Sequence, residues 1–384
     1  MHGAGLAHGP VGSWLNLLSS WRAPRPRVVR ENSVSMSGPY DQAKRRTRRP
    51  ILAITMGDAA GIGPEIVVRA LATQEIPRIC RPLVIGDAGV IRATVVGLRA
   101  DVHVHRVLNV EEARFGPDTI DVLDLENIQL GQLKKAQVDP MAGRAAVENV
   151  LKAIELATTG RVDAIVTAPL HKQAMQQAGF SYPGHTELLA EKTGSSSYAM
   201  MFVAGDFRVV LVTIHCSLRG ALDAISQDSV LEKIRLAHQA LQRLGIGQPR
   251  IAVAGINPHA GEGGMFGREE IEILEPAIWK AQTQGICASG PYPSDTLFAR
   301  ALQGRFDVVV SMYHDQGLIP VKLVGFEKGV NVTLGLPIIR TSVDHGTAFG
   351  RAWQWRADAG SMIAAIDLAS RMANTPNADN SSER

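Results

Sequence analysis

Three cysteines, Cys80, Cys216 and Cys287, are all that 384 residues carry, and no two lie close together. That spacing argues against a disulfide framework or a thiolate zinc knot and points to a reducing, cytoplasmic setting. No apolar run approaches the ~20 residues of a membrane-spanning helix, so a soluble protein without membrane contact is expected. No stretch repeats another. The basic excess is also thinner than it looks. The formal charge is +3, but residues 1–50 hold nine Lys/Arg against two Asp/Glu, which leaves −4 for the rest. A body of that charge has no footprint for nucleic acid. Apolar residues, at 45% of the chain, suffice for a full core in one large or two medium domains.

Residues 1–49 are rich in Gly, Pro, Ser and Arg, with one short apolar patch from Trp14 to Leu18. They read as disordered. Their Arg-rich, acid-poor composition also suits a transit peptide; an upstream extension ahead of a start at Met36 suits it better. From there strands alternate with helices, which predicts an α/β architecture with largely parallel pairing. Strands are expected at 51–55, 83–85, 162–167, 208–213 and 251–255, and helices at 143–158, 229–244, 268–283, 297–303 and 361–372. The segment up to about residue 125 reads as a variable β-like stretch. Ser294, Asp295 and Thr296 form a candidate helix cap. The polar tail from Asn374 is expected to fray.

The stretch from Phe306 to Phe349 gathers the chemistry. Val308 to Val310 read as a buried strand that ends in His314-Asp315-Gln316-Gly317, where α/β proteins present polar groups. Lys322, Asn331 and Arg340 follow, each beside or within a short β-like run, and then Asp344-His345-Gly346-Thr347. A potential metal ligand, an amine, an amide and a guanidinium so close together suit a small anionic molecule. Near the start of the body, Gly57, Asp58, Gly61 and Gly63 lie between a strand and a helix, where glycines let a ligand approach the backbone. A plain tight turn is the default reading there, and the pattern is not GxGxxG. His185, His215 and His314 each sit at or near an element tip beside small or polar residues. Three imidazoles leave a divalent metal one open position, and Glu187 and Asp315 are near enough in sequence to orient the rings. Taken singly, each is an ordinary loop histidine. His238 falls within a helix, and His103 and His105 alternate along a strand.

Six motifs in order are more specific: GDAAGIGPE at 57–65, APLHK at 168–172, GHTE at 184–187, NPHAGE at 257–262, MYHDQG at 312–317 and TSVDHGTA at 341–348. The set resembles the 4-hydroxythreonine-4-phosphate dehydrogenase family over roughly residues 50–373. YPGH at 182–185 and IPVKL at 319–323 look more like the branch acting on 4-phospho-D-threonate and 4-phospho-D-erythronate than like the vitamin B6 enzyme. A branch acting on ring dihydrodiol dicarboxylates is ranked lowest.

The resemblance implies an isocitrate/isopropylmalate-dehydrogenase-like α/β fold, with two α/β/α domains and an active-site cleft between them. Residues 50–165, completed by 330–373, would form the first, and residues 166–329 a central domain for metal, substrate and dimerisation. It implies homodimers with shared active sites. One divalent ion (Zn, Mg, Mn or Co) would sit on His185, His215 and His314, with one ligand from the partner subunit. Substrate contacts would fall on His171, Lys172, Lys322, Asn331 and Arg340, with Lys322 and Asp295 as catalytic groups. NAD would be held at Gly57, Asp58, Gly61 and Gly63 and by the loop Asp344, His345, Gly346 and Thr347. The implied reaction is metal-dependent, NAD-linked oxidation of a phosphorylated hydroxy acid to a β-keto acid that decarboxylates. The rivals are the dehydrogenase of pyridoxal-phosphate biosynthesis and an inactive metabolite-binding homologue. Retention of the three histidines and Lys322 counts against the latter. One departure stands out. Where relatives place an acidic and then an aliphatic residue after Phe349, this chain has Gly350-Arg351, which predicts relaxed selectivity between NAD and NADP.

Overall fold

The structure, a computed structural model, describes residues 49–325 and 327–375. The expectations for residues 1–48 and for the tail from residue 376 lie outside the described residues. Within them, one sheet is built from β1 (Ile51–Thr55), β2 (Arg81–Gly86), β3 (His103–Val107), β4 (Thr119–Asp124), β5 (Ala164–Thr167), β6 (Ala199–Ala204), β7 (Phe207–Leu211), β8 (Ile251–Ala254), β9 (Ala288–Tyr292), β10 (Val308–Ser311), β11 (Val330–Leu334) and β12 (Arg340–Val343). The strand order is β3-β4-β2-β1-β5-β12-β11-β6-β7-β10-β8-β9. Pairing is parallel except at β12–β11, β11–β6 and β6–β7. These three antiparallel steps reverse the sheet, so the strands on its two sides run in opposite directions.

Both faces of the sheet are apolar because the strands are buried on both. Leu52 and Ile54 of β1 point into one cluster, where Met362, Ile366 and Leu368 of the helix Gly360–Asn374 meet them. Ala53, between them, points into the other, with Val147, Val150 and Ile154 of the helix Pro140–Thr158. No helix among the described residues is long and apolar enough to cross a membrane.

Several expectations change. The β-like stretch after residue 86 contains a helix, Ala88–Leu98, capped by Asp87, whose carboxylate accepts from the Val90 amide at 3.0 Å. Its Val, Ile and Thr residues suggest a strand, but cap and packing override that weak propensity. β6 escapes periodicity because all six of its side chains are buried. The helix expected at 297–303 begins earlier, as Ser294–Leu302, and no side chain caps it. Most consequentially, Lys322 is not in a strand. It belongs to the helix His314–Gly325, which tolerates Pro320 inside it. His314, Leu318 and Lys322 recur four apart and share one face. Ile319 and Leu323, on another face, are 58% and 82% exposed. Gln316 pins the start of this helix. Its Oε1 accepts from the Met312 amide at 2.6 Å, and its Nε2 donates to the Gly255 carbonyl at 2.7 Å and the Ser294 hydroxyl at 2.9 Å.

The turn after β1 needs its glycines for packing within the chain. Gly57 has φ 74°, and a Cβ there would lie 2.5 Å from the Pro169 carbonyl oxygen; at Gly61 it would lie 2.8 Å from Thr347. Asp58 between them is fully buried. Its Oδ1 accepts from the Ala60 amide at 2.8 Å, and Oδ2 has no partner among the described residues. Burial pushes this carboxyl up to about 7; the Ala60 amide opposes the rise and Asp139 adds to it. A carboxyl raised from its ordinary 3.8 favours the fold below about pH 4, and that advantage fades as pH climbs through 7. Asp58→Asn is therefore expected to gain on the wild type between about pH 4 and 7, by at most about 4 kcal/mol. Denaturant melts of both proteins across that range check it; a constant difference contradicts it.

Candidate active site

Strand register builds the floor of the site. β12 pairs with β11 so that Asn331 lies beside Ser342 and Thr333 beside Arg340. β11 sets Asn331 against Phe202 and Thr333 against Met200 of β6. β5 adds Thr167 beside Ser342. Cross-strand partners share a face, as do residues two apart on one strand. All these side chains therefore stand on one face of the antiparallel centre. A one-residue slip of β12 would send Arg340 into the opposite layer.

Over this floor lies a cleft of about 360 Å³, a size that suits a small molecule. Its walls are the helix His314–Gly325, the segment after β5, the start of the helix His185–Lys192 and the loop after β12. It brings together Lys172, His185, His215, His314, Lys322, Asn331, Arg340, Asp344, His345 and Gly346. His171, Asp295, Thr347, Gly57, Asp58, Gly61 and Gly63 do not line it. His171 is taken up locally: it caps the helix Lys172–Gln177 and stacks on Phe349 at 4.7 Å. Asp295 is exposed in the first turn of its helix. The Thr347 carbonyl accepts from the Ile62 amide at 3.0 Å, so the two stretches expected to hold cofactor are docked on each other.

The charges of the cleft are unevenly compensated. Arg340 is 2% exposed, and its guanidinium donates to two neutral hydroxyls, Thr333 at 2.9 Å and Thr167 at 2.7 Å. Among the described residues no carboxylate lies within ion-pair distance of it, so the structural ion pair that would explain a buried arginine is missing. Burial pulls its guanidinium down to about 9, still protonated at neutral pH. Among the described residues its Nε has no partner, and neither do Asn331 Oδ1 and His185 Nε2, all buried. Orphaned buried polar atoms are rare in native structures. Three that converge on one cleft make it the candidate ligand site. Lys322 reaches Asp344 across the cleft at 3.2 Å.

The histidines divide. His314 Nδ1 meets Asp315 at 2.7 Å, which orients the ring and leaves Nε2 for a ligand. His215 lies beside it, with ring centroids 6.2 Å apart. Burial and then Lys172 lower the His215 pKa, so its imidazole is neutral at neutral pH. His185 is held well below its ordinary range by burial and then by Arg340. A guanidinium beside His185 opposes a dication there. Among the described residues no three His, Cys, Asp or Glu side chains form a metal-binding group, so the expected triad does not close within one chain. Asp315 does orient a ring, whereas Glu187 bonds to none.

A larger cavity of about 650 Å³ lies by the β11–β12 connection, but no comparable set of charged groups converges there. The reading of the sequence also passed over two contributors. Thr167 and Thr333 matter only through a register that no local pattern announces. His259 sits in the Gly-rich NPHAGEGG segment, where five successive residues, His259 to Gly263, have φ between 44° and 80°. Non-glycine residues pay roughly 1–2 kcal/mol each for that conformation. The buried Glu270 braces the loop by accepting from the Ile256 and Asn257 amides at 2.7 Å. His259 itself is exposed.

The sequence matches the family of pyridoxal phosphate biosynthetic protein PdxA over residues 78–369. A 4-hydroxythreonine-4-phosphate dehydrogenase of Beijerinckia indica is 49% identical, covering 84% of this chain and 94% of that protein. A D-threonate 4-phosphate dehydrogenase of Salmonella typhimurium is 48% identical, over 84% and 98%. The crystal structure of a 4-hydroxythreonine-4-phosphate dehydrogenase from Klebsiella pneumoniae superposes with a TM-score of 0.78 at 44% identity, over 84% of this chain and 99% of that one. The chain therefore belongs to the PdxA family and is an oxidoreductase acting on a CH–OH group.

Proposed function

We propose that this chain oxidises a phosphorylated hydroxy acid, 4-phospho-D-threonate or 4-phospho-D-erythronate, with NAD as hydride acceptor and a divalent metal in the cleft. The observation that carries the reading is the convergence on one cleft of three orphaned polar atoms, one of them on the uncompensated guanidinium of Arg340. Arg340 and Lys172 take the anionic ends of the substrate, phosphate or carboxylate. Asn331 and His185 Nε2 meet its polar middle. Lys322, held by Asp344 at 3.2 Å, is assigned as the group that accepts the hydroxyl proton. His215 and His314 suit Zn, Mg, Mn or Co as two imidazole nitrogen donors. When bound there, such a cation would supply Lewis-acid polarisation of the alcohol, and a nicotinamide would serve as the hydride acceptor. The product is a β-keto acid set to lose its carboxylate as carbon dioxide.

The third metal donor is assigned to a second copy of the chain. Leu218 and Leu222 follow His215, and Ile319 and Leu323 follow His314; all four are 45% or more exposed. An apolar surface of that kind marks an interface. His259, exposed on its braced loop, is the imidazole assigned to the partner's site. NAD is assigned to the loop of Asp344, His345 and Gly346, which lines the cleft, while Thr347 and the Gly57–Gly63 turn support that loop. A Cβ at Gly350 would meet nothing within 4 Å, so an acidic residue fits there. Gly350→Asp is expected to lower the NAD Michaelis constant and suppress NADP use. A wild type that already rejects NADP, with an unaltered NAD constant in the variant, contradicts this reading of the loop.

A second reading, oxidation of 4-hydroxythreonine 4-phosphate in pyridoxal-phosphate biosynthesis, is favoured by the Beijerinckia relative, whose identity matches that of the threonate enzyme. Assaying both compounds side by side separates the two. At least roughly tenfold higher kcat/KM on 4-phospho-D-threonate is expected, about 1.4 kcal/mol of discrimination. The reverse ratio transfers the chain to the second reading, and turnover of neither leaves the inactive homologue.

A further inference from the structure

The cleft wall carries two carboxylates, Asp344 and Glu187. Asp344 is committed to Lys322. Glu187 makes no hydrogen bond or ion pair with any described residue, although Lys172, Lys322 and Arg340 line the same cleft. Its field nevertheless reaches both Arg340 and His215. An acid in the first turn of the helix His185–Lys192 is favourable for the helix dipole. That accounts for an acid in this turn, but not for a carboxylate left unpaired against the cleft.

We propose that Glu187 is a specificity-determining residue: its charge weakens binding of simple inorganic anions, and its carboxylate accepts a hydrogen bond from a hydroxyl of the true substrate. The idea rests on the phosphorylated hydroxy acid reading. A phosphate dianion entering the cleft is attracted by Arg340 and Lys172 and opposed by Glu187, a repulsion that its single proton offsets only in part. A substrate that adds a hydroxyl turns the same carboxylate into a partner. Sites that hydrogen-bond a substrate hydroxyl discriminate strongly against molecules lacking it, because a buried group is then left unpaired.

Calorimetric titration of the purified protein with inorganic phosphate tests this, alongside kcat/KM for 4-phospho-D-threonate. Glu187→Gln should bind phosphate about tenfold more tightly while its kcat/KM falls. Glu187→Asp, which keeps the charge, should stay near the wild type for phosphate. A carboxylate that served only the helix would lower the melting temperature without tightening phosphate. Arg340→Met separates the two levels of failure. If it weakens phosphate binding and Glu187→Gln does not strengthen it, the role of Glu187 is overturned. If Arg340→Met leaves phosphate binding unchanged, the anion reading of the cleft falls, and this inference with it.

Discussion

Arg340→Met should cost about 10³-fold in kcat/KM and leave the fold as stable as before, or firmer. Both halves follow from one geometry. The guanidinium is removed from water, and only the hydroxyls of Thr333 and Thr167 answer it. A buried charge without a counter-charge is a liability to folding, and replacing it with an apolar chain of similar length is often neutral or stabilising. The liability is explained if an anionic substrate supplies the missing charge. A charge-assisted contact in a dry cleft, once lost, is worth several kcal/mol of transition-state binding. Arg340→Lys should not rescue activity, because an ammonium cannot reproduce the planar fork that spans both hydroxyls and the substrate. A thermal melt and steady-state kinetics read the two halves independently. A variant that melts several degrees lower while retaining activity would assign Arg340 to the scaffold.

The second large effect concerns the sharing of the site. His314→Ala and His259→Ala homodimers should each lose at least about 10²-fold in turnover, because each removes a metal donor. Mixed in equal amounts and allowed to exchange, they should recover about a quarter of wild-type activity, since half the dimers are mixed and each then holds one intact site. Repeating the mixture with His185→Ala in place of His259→Ala should recover none. His185 and His314 line one cleft of one chain, so no mixed dimer has both in the same intact site. Recovery in the His185 mixture alone would restore His185 to the metal and remove His259 from it. Leu323→Glu, on the exposed apolar face, should yield monomers that lack turnover yet melt cooperatively.

How much of this was readable beforehand depended on the range of the forces involved. The strands bearing Asn331 and Arg340 were visible because each is a local apolar run, and the cleft residues follow one another closely in the chain. Lys322 was legible as a site residue but not as a helical one. Gly317 and Pro320 weaken a helical reading, and only packing against β7 and β6, with the bracket formed by Gln316, decides it. Asp295 was expected at the chemistry, but its helix starts three residues early and leaves it exposed in the first turn. Nothing local to residue 340 reveals that Thr167 lies within 2.7 Å of it, 173 positions away. The approach of Arg340 to His185, which helps to lower that imidazole's pKa, was hidden for the same reason: it is a fact of register that composition and spacing do not encode. At the Gly57–Gly63 turn the glycines admit the chain's own Pro169 and Thr347, contacts that no local pattern announces.

The central claim is a metal-dependent oxidation carried out in the cleft of Arg340, Lys322, His215 and His314. The most direct measurement follows NAD reduction by 4-phospho-D-threonate with enzyme as purified, after chelation, and after each of zinc, manganese, cobalt and magnesium is restored. Chelation is expected to lower turnover at least about 10²-fold, and one or more of the metals to restore it in the wild type but not in His215→Ala. Undiminished turnover by the stripped wild-type enzyme would contradict the account.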